Sequence, residues 1–216
     1  MKSIVRAFAL LLLCSSTLTV STAIAQGILD YPVNTPEQIE RLDTIAGAMR
    51  ANLPVRAQIR QEKHMAVLAQ PLISSGAFSL AVNGDIEWQI REPFAVRYSV
   101  QGGEITREVD GEVETITATH EPSVYGFFRM FEQLFKFDAE TLKHYFLIYL
   151  APASDRHAWD MALVPSKAPL SDVVATLIVS GDGGRVEKVT ITEPGEDYTV
   201  LSFRYDNTVS TEAVAP

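Results

Sequence analysis

Cysteine is nearly missing from this chain of 216 residues: there is one, Cys14. With no second thiol in the chain, no internal disulfide can form, and the fold must be held by its core alone. Histidine is scarce too. The four (His64, His120, His144, His157) lie far apart, with no H-x-H or H-E-x-x-H spacing, so each reads as a surface or lightly buried residue and no metal is expected. Positive charge is short, with 18 Lys and Arg against 27 Asp and Glu and a formal net charge of −9. Such a balance repels nucleic acid and anionic membrane surfaces. The opening apolar run, Ala7 to Cys14, falls well below the roughly 20 residues needed to span a bilayer.

Catalytic patterns are missing as well. Ser74-Ser75-Gly76 is no nucleophile elbow, which needs G-x-S-x-G between a strand and a helix. Ser180-Gly181-Asp182-Gly183-Gly184 lies between two strand-like runs, not before a helix, so it reads as a turn and not a phosphate cradle. No residue stands out as general acid, base or nucleophile. A non-enzyme without a cofactor is expected.

What the chain does have begins with a leader. Lys2 and Arg6 precede the apolar run, and Ala23-Ile24-Ala25 is a small-x-small cleavage site, the pattern of a secretory signal peptide over residues 1–25. Leu13 stands before Cys14 where a lipobox wants a small residue, so cleavage after Ala25 is expected, without a lipid anchor. An exported, acidic chain that has lost its cysteine reads as periplasmic. Residues 26–35 read as an extended lead-in, 36–206 as one domain with a sizeable core, and 207–216 as a polar tail.

Thr35 with Gln38 forms a T-x-x-Q capping box, and Pro36 suits the first helical position. Ile39, Leu42, Ile45, Ala46 and Met49 then recur at helical spacing, and Pro54 ends the run. Beyond it the period falls to two. Val55, Ala57 and Ile59 alternate with Arg56, Gln58 and Arg60; Phe78, Leu80 and Val82 point one way, as do Ile86, Trp88 and Ile90. Asn83-Gly84 and Asp110-Gly111 are strong hairpin turns, with Gln101-Gly102-Gly103 and Asp182-Gly183-Gly184 as two more. Eleven strand-like runs follow one another as an antiparallel meander, which twist must curl toward a barrel. The acids from Glu104 to Glu121, opposed mainly by Arg107, decorate one hairpin as a solvated face or a docking surface for a basic partner.

One segment interrupts the meander. Of ten phenylalanines, five (Phe127, Phe128, Phe131, Phe135, Phe137) fall between Val124 and Phe137. On a helical wheel Phe127, Phe131, Leu134 and Phe135 share a stripe that Phe128 and Met130 widen, while Arg129, Glu132, Gln133 and Lys136 fall elsewhere. Asp138 is placed to cap a second short helix through Leu142. Such a stripe is core in most proteins. Two features add a further reading: several strands are apolar on both faces (Tyr145–Leu150, Val173–Val179), and Trp88, Trp159 and Met161 offer bulky, adaptable lining. A concave sheet so lined and closed by an aromatic helix has the form of a lipid pocket.

The run Gln61-x-Lys63-x-Met65, then Pro71-Leu72-x-Ser74-x-Gly76-x-Phe78, then Trp88 and Pro93-Phe94, resembles the LolA-like outer-membrane lipoprotein carriers, in particular a divergent branch that accompanies lipid exporters. The resemblance implies an α+β fold: an open, strongly curled antiparallel half-barrel of about eleven strands with helices covering its concave mouth. It implies a periplasmic monomer that shields acyl chains of a lipoprotein or other acylated lipid between an inner-membrane exporter and an outer-membrane acceptor. By position, Phe78, Leu80, Trp88 and Ile90 would line the sheet and Phe127, Phe131 and Phe135 would belong to a lid, with Phe128, Leu134, Trp159 and Met161 completing the lipid-binding set. The family's latch arginine, in the turn before the Trp-bearing strand, is replaced here by Asn83-Gly84-Asp85, which favours another acylated cargo such as a glycolipid or pigment lipid. The alternative is a non-catalytic accessory subunit of an envelope lipid-export assembly, its barrel fully packed.

Overall fold

Of the hairpin glycines named above, all but Gly184 have the left-handed backbone that only glycine adopts freely. Gly84, Gly102, Gly103, Gly111 and Gly183 all have positive φ, as does Asp110 at 52°. These turns link strands of a single sheet in a computed structural model that describes residues 27–136, 139–153, 157–168 and 170–205. The side chains of Ser123, Gln133, Phe135, Lys136 and residues 139–141 lie outside that description, as do the leader, its cleavage site, Cys14, Phe137, the Asp138 cap and the tail.

The strands are β1 (Val55–His64), β2 (Leu72–Leu80), β3 (Ile86–Glu92), β4 (Val96–Gln101), β5 (Glu104–Val109), β6 (Glu112–Ile116), β7 (Phe146–Leu150), β8 (Ala158–Pro165), β9 (Thr176–Asp182), β10 (Arg185–Thr192) and β11 (Tyr198–Tyr205). Their order across the sheet is β6-β5-β4-β3-β2-β1-β11-β10-β9-β8-β7, antiparallel throughout. Each neighbour is a sequence neighbour except at the seam where β1 meets β11, from Ala57 opposite Tyr205 to His64 opposite Tyr198. Read as a ring, the order is broken at one place, between β6 and β7. Helices α2 (Pro122–Lys136) and α3 (Ala139–Tyr145) occupy that stretch of sequence, so the chain crosses from one sheet edge to the other as helix. The expected eleven-stranded, open half-barrel with helices at its mouth is therefore present.

Two irregularities bend the sheet. Ser75 pairs with Glu92 but Gly76 with Ile90, leaving Arg91 as an extra residue; a second bulge falls between Val186 and Lys188. Such bulges bend the strand and increase its twist. At the first, a Cβ on residue 76 would come within 1.7 Å of the Gln89 carbonyl oxygen, so no residue with a side chain fits there without moving β3.

Helix α1 (Pro36–Ala51) starts as its sequence predicts. The Gln38 N–H donates to Thr35 Oγ1 at 3.4 Å and Gln38 Oε1 accepts from the Thr35 N–H at 3.2 Å. It buries Leu42, Ile45, Ala46 and Met49 in the core, with Ile39 half-buried. That core runs unbroken under α2, where Phe128, Phe131 and Leu134 join Phe78, Trp88, Met161 and Phe203 from the strands.

The lead-in is more than an extended arm. The Tyr31 N–H closes a turn onto Ile28 O at 3.1 Å, and the chain then bonds the free edge of β7, Val33 N–H to Ile148 O at 2.8 Å and Leu150 N–H to Tyr31 O at 2.9 Å. Ile28 packs with Ala162 and Ile178 in a second, separate cluster. This explains the strands that are apolar on both faces. Leu177 and Val179 of β9 face the main core, whereas Ile178 faces the Ile28 cluster, so part of the second apolar face is covered by the lead-in, while Leu147 of β7 stays exposed. The opposite edge, β6, is guarded by charge: Glu112 and Glu114 are exposed on a five-residue strand.

Three local readings change. Val82, expected inward, is 71 % exposed because β2 ends at Leu80 and the next residues enter the turn. Helix α3 runs on to Tyr145, three residues past Leu142, so β7 starts at Phe146. Val173 and Val174 belong to a connection with one 3-10 turn (Leu170–Asp172), and β9 begins at Thr176.

Candidate lipid-binding groove

Helix α2 lays its rings across the sheet at separations typical of aromatic pairs. Trp88 is the hub: its ring centroid lies 5.2 Å from Phe131, 5.7 Å from Phe127, 6.3 Å from Phe128 and 5.7 Å from Phe78, all edge to face. Phe131 also meets Phe78 and Phe203, and Phe128 meets Tyr98 at 4.9 Å. The helix therefore fills part of the sheet's concavity itself.

It does not fill all of it. A groove of about 540 Å³ remains between α2 and the β8–β9 connection, open to solvent. Val124, Phe127, Phe128 and Met130 form one wall, Leu170, Val173 and Val174 the facing wall, and Trp88, Ile90, Tyr98 and Ile191 the floor. Gln61, Asp172, Glu193 and Thr199 supply the polar atoms of the lining, and Lys63 forms an ion pair with Glu193. The groove is thus apolar over its floor and both walls, with a few polar groups among them.

The residues expected to bind lipid fall into distinct places. Trp88, Ile90, Phe127 and Phe128 line the groove. Phe78, Leu80, Phe131, Leu134 and Met161 are buried in the core and reach the groove only through neighbours. Trp159 lies elsewhere, between α1 and the β9–β10 turn, where its indole Nε1–H donates to Gly183 O at 2.9 Å. Its ring lies over Gly181, where a Cβ would come within 2.3 Å of it. The side chain of Phe135 is outside the described residues. The facing wall was not among the expected lining: Val173 and Val174 read as the start of an apolar strand. Leu170, Val173 and Val174 sit in a connection without strand or helix period, and the one usable signal was a cluster of apolar residues after Pro165.

Glu132 departs from the wheel. It is 5 % exposed, not on a solvated face, and its carboxylate accepts from Arg129 Nη1 at 2.5 Å, one turn earlier. A charge so deeply placed needs such a partner. The acidic hairpin is similarly tied down. Arg107 donates from Nε to Glu114 Oε1 at 2.6 Å and from Nη1 to Glu121 Oε2 at 2.8 Å, joining β5, β6 and the residue just before α2. The hydrogen bond that Arg107 donates to Glu114 raises its pKa above the ordinary value, so the guanidinium stays charged throughout. Part of the acidic face is therefore already neutralised from within.

No helix among the described residues is long and apolar enough to cross a membrane. By sequence, the chain matches no family model and no curated protein. Among solved structures it is similar to a DUF1329 family protein from Desulfovibrio piger, at 12 % identity and TM-score 0.44, over 83 % of this chain and 95 % of that one. It is also similar to a LolA superfamily protein from Nitrosomonas europaea (6 % identity, TM-score 0.42, 78 % and 93 % covered). A third is the lipoprotein LppX from Mycobacterium tuberculosis (10 % identity, TM-score 0.41, 79 % and 97 % covered). At these scores the likeness carries no argument about what this chain binds. The fold stands on its own strands: an eleven-stranded antiparallel sheet left open between β6 and β7, with helices in the opening.

Proposed function

We propose that this chain is a carrier that shelters the acyl part of a lipid or lipoprotein in the groove beside α2. The observation that supports the reading most is the groove itself: about 540 Å³, within the ordinary range of ligand sites, with an apolar floor and walls. Burying one methylene is worth about 0.8 kcal/mol, so eight methylenes of a chain offer about 6 kcal/mol before ordering costs. Rings already in the concavity moderate that gain. Cargo that goes deeper than the groove must displace Phe127 or Phe128 from Trp88, which keeps binding reversible. In this reading the protein works in the periplasm as a monomer, between an inner-membrane exporter and an outer-membrane acceptor, and performs no catalysis.

The test is titration of the purified protein with an environment-sensitive apolar probe, followed by displacement with fatty acid. Saturable binding, displaced by fatty acid and weakened by a bulky side chain at Val173, is the expected result. A protein that takes up no probe overturns the proposal. That outcome would favour the second reading, a packed accessory subunit, for which the complete burial of Phe131, Leu134 and Phe78 is the supporting observation.

A further inference from the structure

We propose that a second, smaller pocket, between α1 and the start of β8, is an anion site that takes a phosphate or carboxylate group on Arg41. The pocket has a volume of about 210 Å³ and is bordered by Arg41, Thr44, Ala48, His157, Trp159 and Gly183, among others. Among its described lining residues there is no carboxylate; residues 154–156, between the lining residues Ala153 and His157, lie outside the description.

Arg41 combines partial burial with the lack of a carboxylate partner: Arg56, Arg91, Arg185 and Arg204 are likewise not ion-paired among the described residues, but they are exposed. Arg60, Arg97, Arg107 and Arg129 each form an ion pair with a glutamate. Arg41 forms none among the described residues; Nη1 donates to the Ala151 carbonyl, and the rest of its five-donor fork has no hydrogen-bond partner there. The guanidinium is partly buried, and burial lowers its pKa from the ordinary value. None of its unpaired nitrogens is sealed away from solvent, so these donors are open to a ligand. A partly desolvated cation without a counter-charge is unfavourable, and an oxyanion that meets the planar fork with two acceptors relieves it.

The walls are held in place. The Trp159 indole is fixed by its bond to Gly183 O, and the Gly183 N–H donates to the His157 carbonyl at 2.9 Å, so indole and turn form one rigid side. Thr44 contributes shape only, because its hydroxyl proton is given to Glu40 O at 2.9 Å. The His157 ring is exposed at the border and adds a second N–H donor within the same pocket. The pocket is too small to be a second acyl groove and is separate from the first, so the proposal does not depend on the carrier reading.

Trp159 supplies the readout. Its indole N–H is followed by NMR while inorganic phosphate, and separately acetate, is added at constant ionic strength set with sodium chloride. A saturable shift of the Trp159 signal, with the Trp88 indole unmoved, is expected. Arg41→Gln should weaken it about tenfold or more, and Arg41→Lys should keep part of it. Sedimentation with vesicles containing phosphatidylglycerol then separates the sources of the anion. Arg41-dependent vesicle binding identifies a lipid headgroup; phosphate saturation without vesicle binding identifies a soluble anion. A linear drift that chloride reproduces, or a saturable shift that survives in Arg41→Gln, overturns the site. If Arg41→Gln fails to fold, saturation of the unaltered protein by phosphate against chloride, together with Arg41→Lys, decides the question.

Discussion

The two ends of helix α2 use the same kind of residue to opposite effect. At its C-terminal end Phe131 and Leu134 are fully buried and meet the sheet with no space between. At its N-terminal end Val124 and Phe127 stay half-buried, and the sheet falls away from them to leave the groove. Trp88 touches both regions, stacking edge-on against Phe131 while forming part of the groove's floor. An aromatic stripe is therefore not one functional unit. What lies opposite each ring decides whether it is core or lining.

The sharpest way to break this contrast is at the packed end. Phe131→Ala removes a ring with no exposure, and a loss of about 3–5 kcal/mol in urea denaturation is expected, enough to threaten the fold. A loss near that expected for a surface residue would mean that the packed end is loose. Next comes the sheet beneath it. Gly76→Ala forces a methyl group against the Gln89 carbonyl, and about 1–3 kcal/mol should be lost as β3 shifts, with thermal unfolding as the measure. The shift would move Trp88 and Ile90 with it, so probe binding should fall in parallel.

At the open end the pattern should reverse. Val173→Trp puts a ring into the groove from a residue that is already exposed, and stability should change by no more than about 0.5 kcal/mol. Probe affinity, by contrast, should drop sharply in the same sample. Equal losses at Val173 and Phe131 in both measurements would erase the distinction between the two ends.

An effect confined to high pH concerns Tyr205, which packs against the core and donates to Val186 O at 2.6 Å. Burial pushes its pKa up to about 12 from an ordinary 10. The folded protein thus holds the phenol proton more tightly than the unfolded chain. Stability from this group is whole below about pH 10 and is lost as pH rises toward 12. Tyr205→Phe should flatten the stability curve in that window and nowhere below it, as read from urea midpoints at several pH values.

Much of this architecture was legible because its signals are local. Gly84, and both Asp110 and Gly111, take positive φ, which few other residues supply, so the turns were readable residue by residue. The capping box of α1 is similarly a matter of three neighbouring positions. The misreadings lie where distant parts meet. The inward alternation of Phe78 and Leu80 contains nothing to say that β2 stops before Val82. Glu132 falls off the apolar stripe yet is buried, because a helical wheel shows only the helix and not the surfaces packed around it. The groove's second wall was hidden for the same reason, since Leu170 to Val174 have no period and acquire their role only by facing α2.

The seam between β1 and β11 has a consequence for how the molecule assembles. Strands β1–β6 and β7–β11 are each a run of nearest-neighbour hairpins, whose contacts close quickly because little chain lies between them. The ladder from Ala57–Tyr205 to His64–Tyr198 is different: it joins the first strand to the last. No amount of early hairpin formation can complete the concave surface until β11 has arrived. The two meanders can form as soon as their residues are free, each with an apolar face still uncovered. That ladder is the sheet pairing with the largest sequence separation, so it carries the largest loop-closure cost in the sheet. A chain with this strand order is one whose folding benefits from being kept apart from its own copies until the final strand is in place.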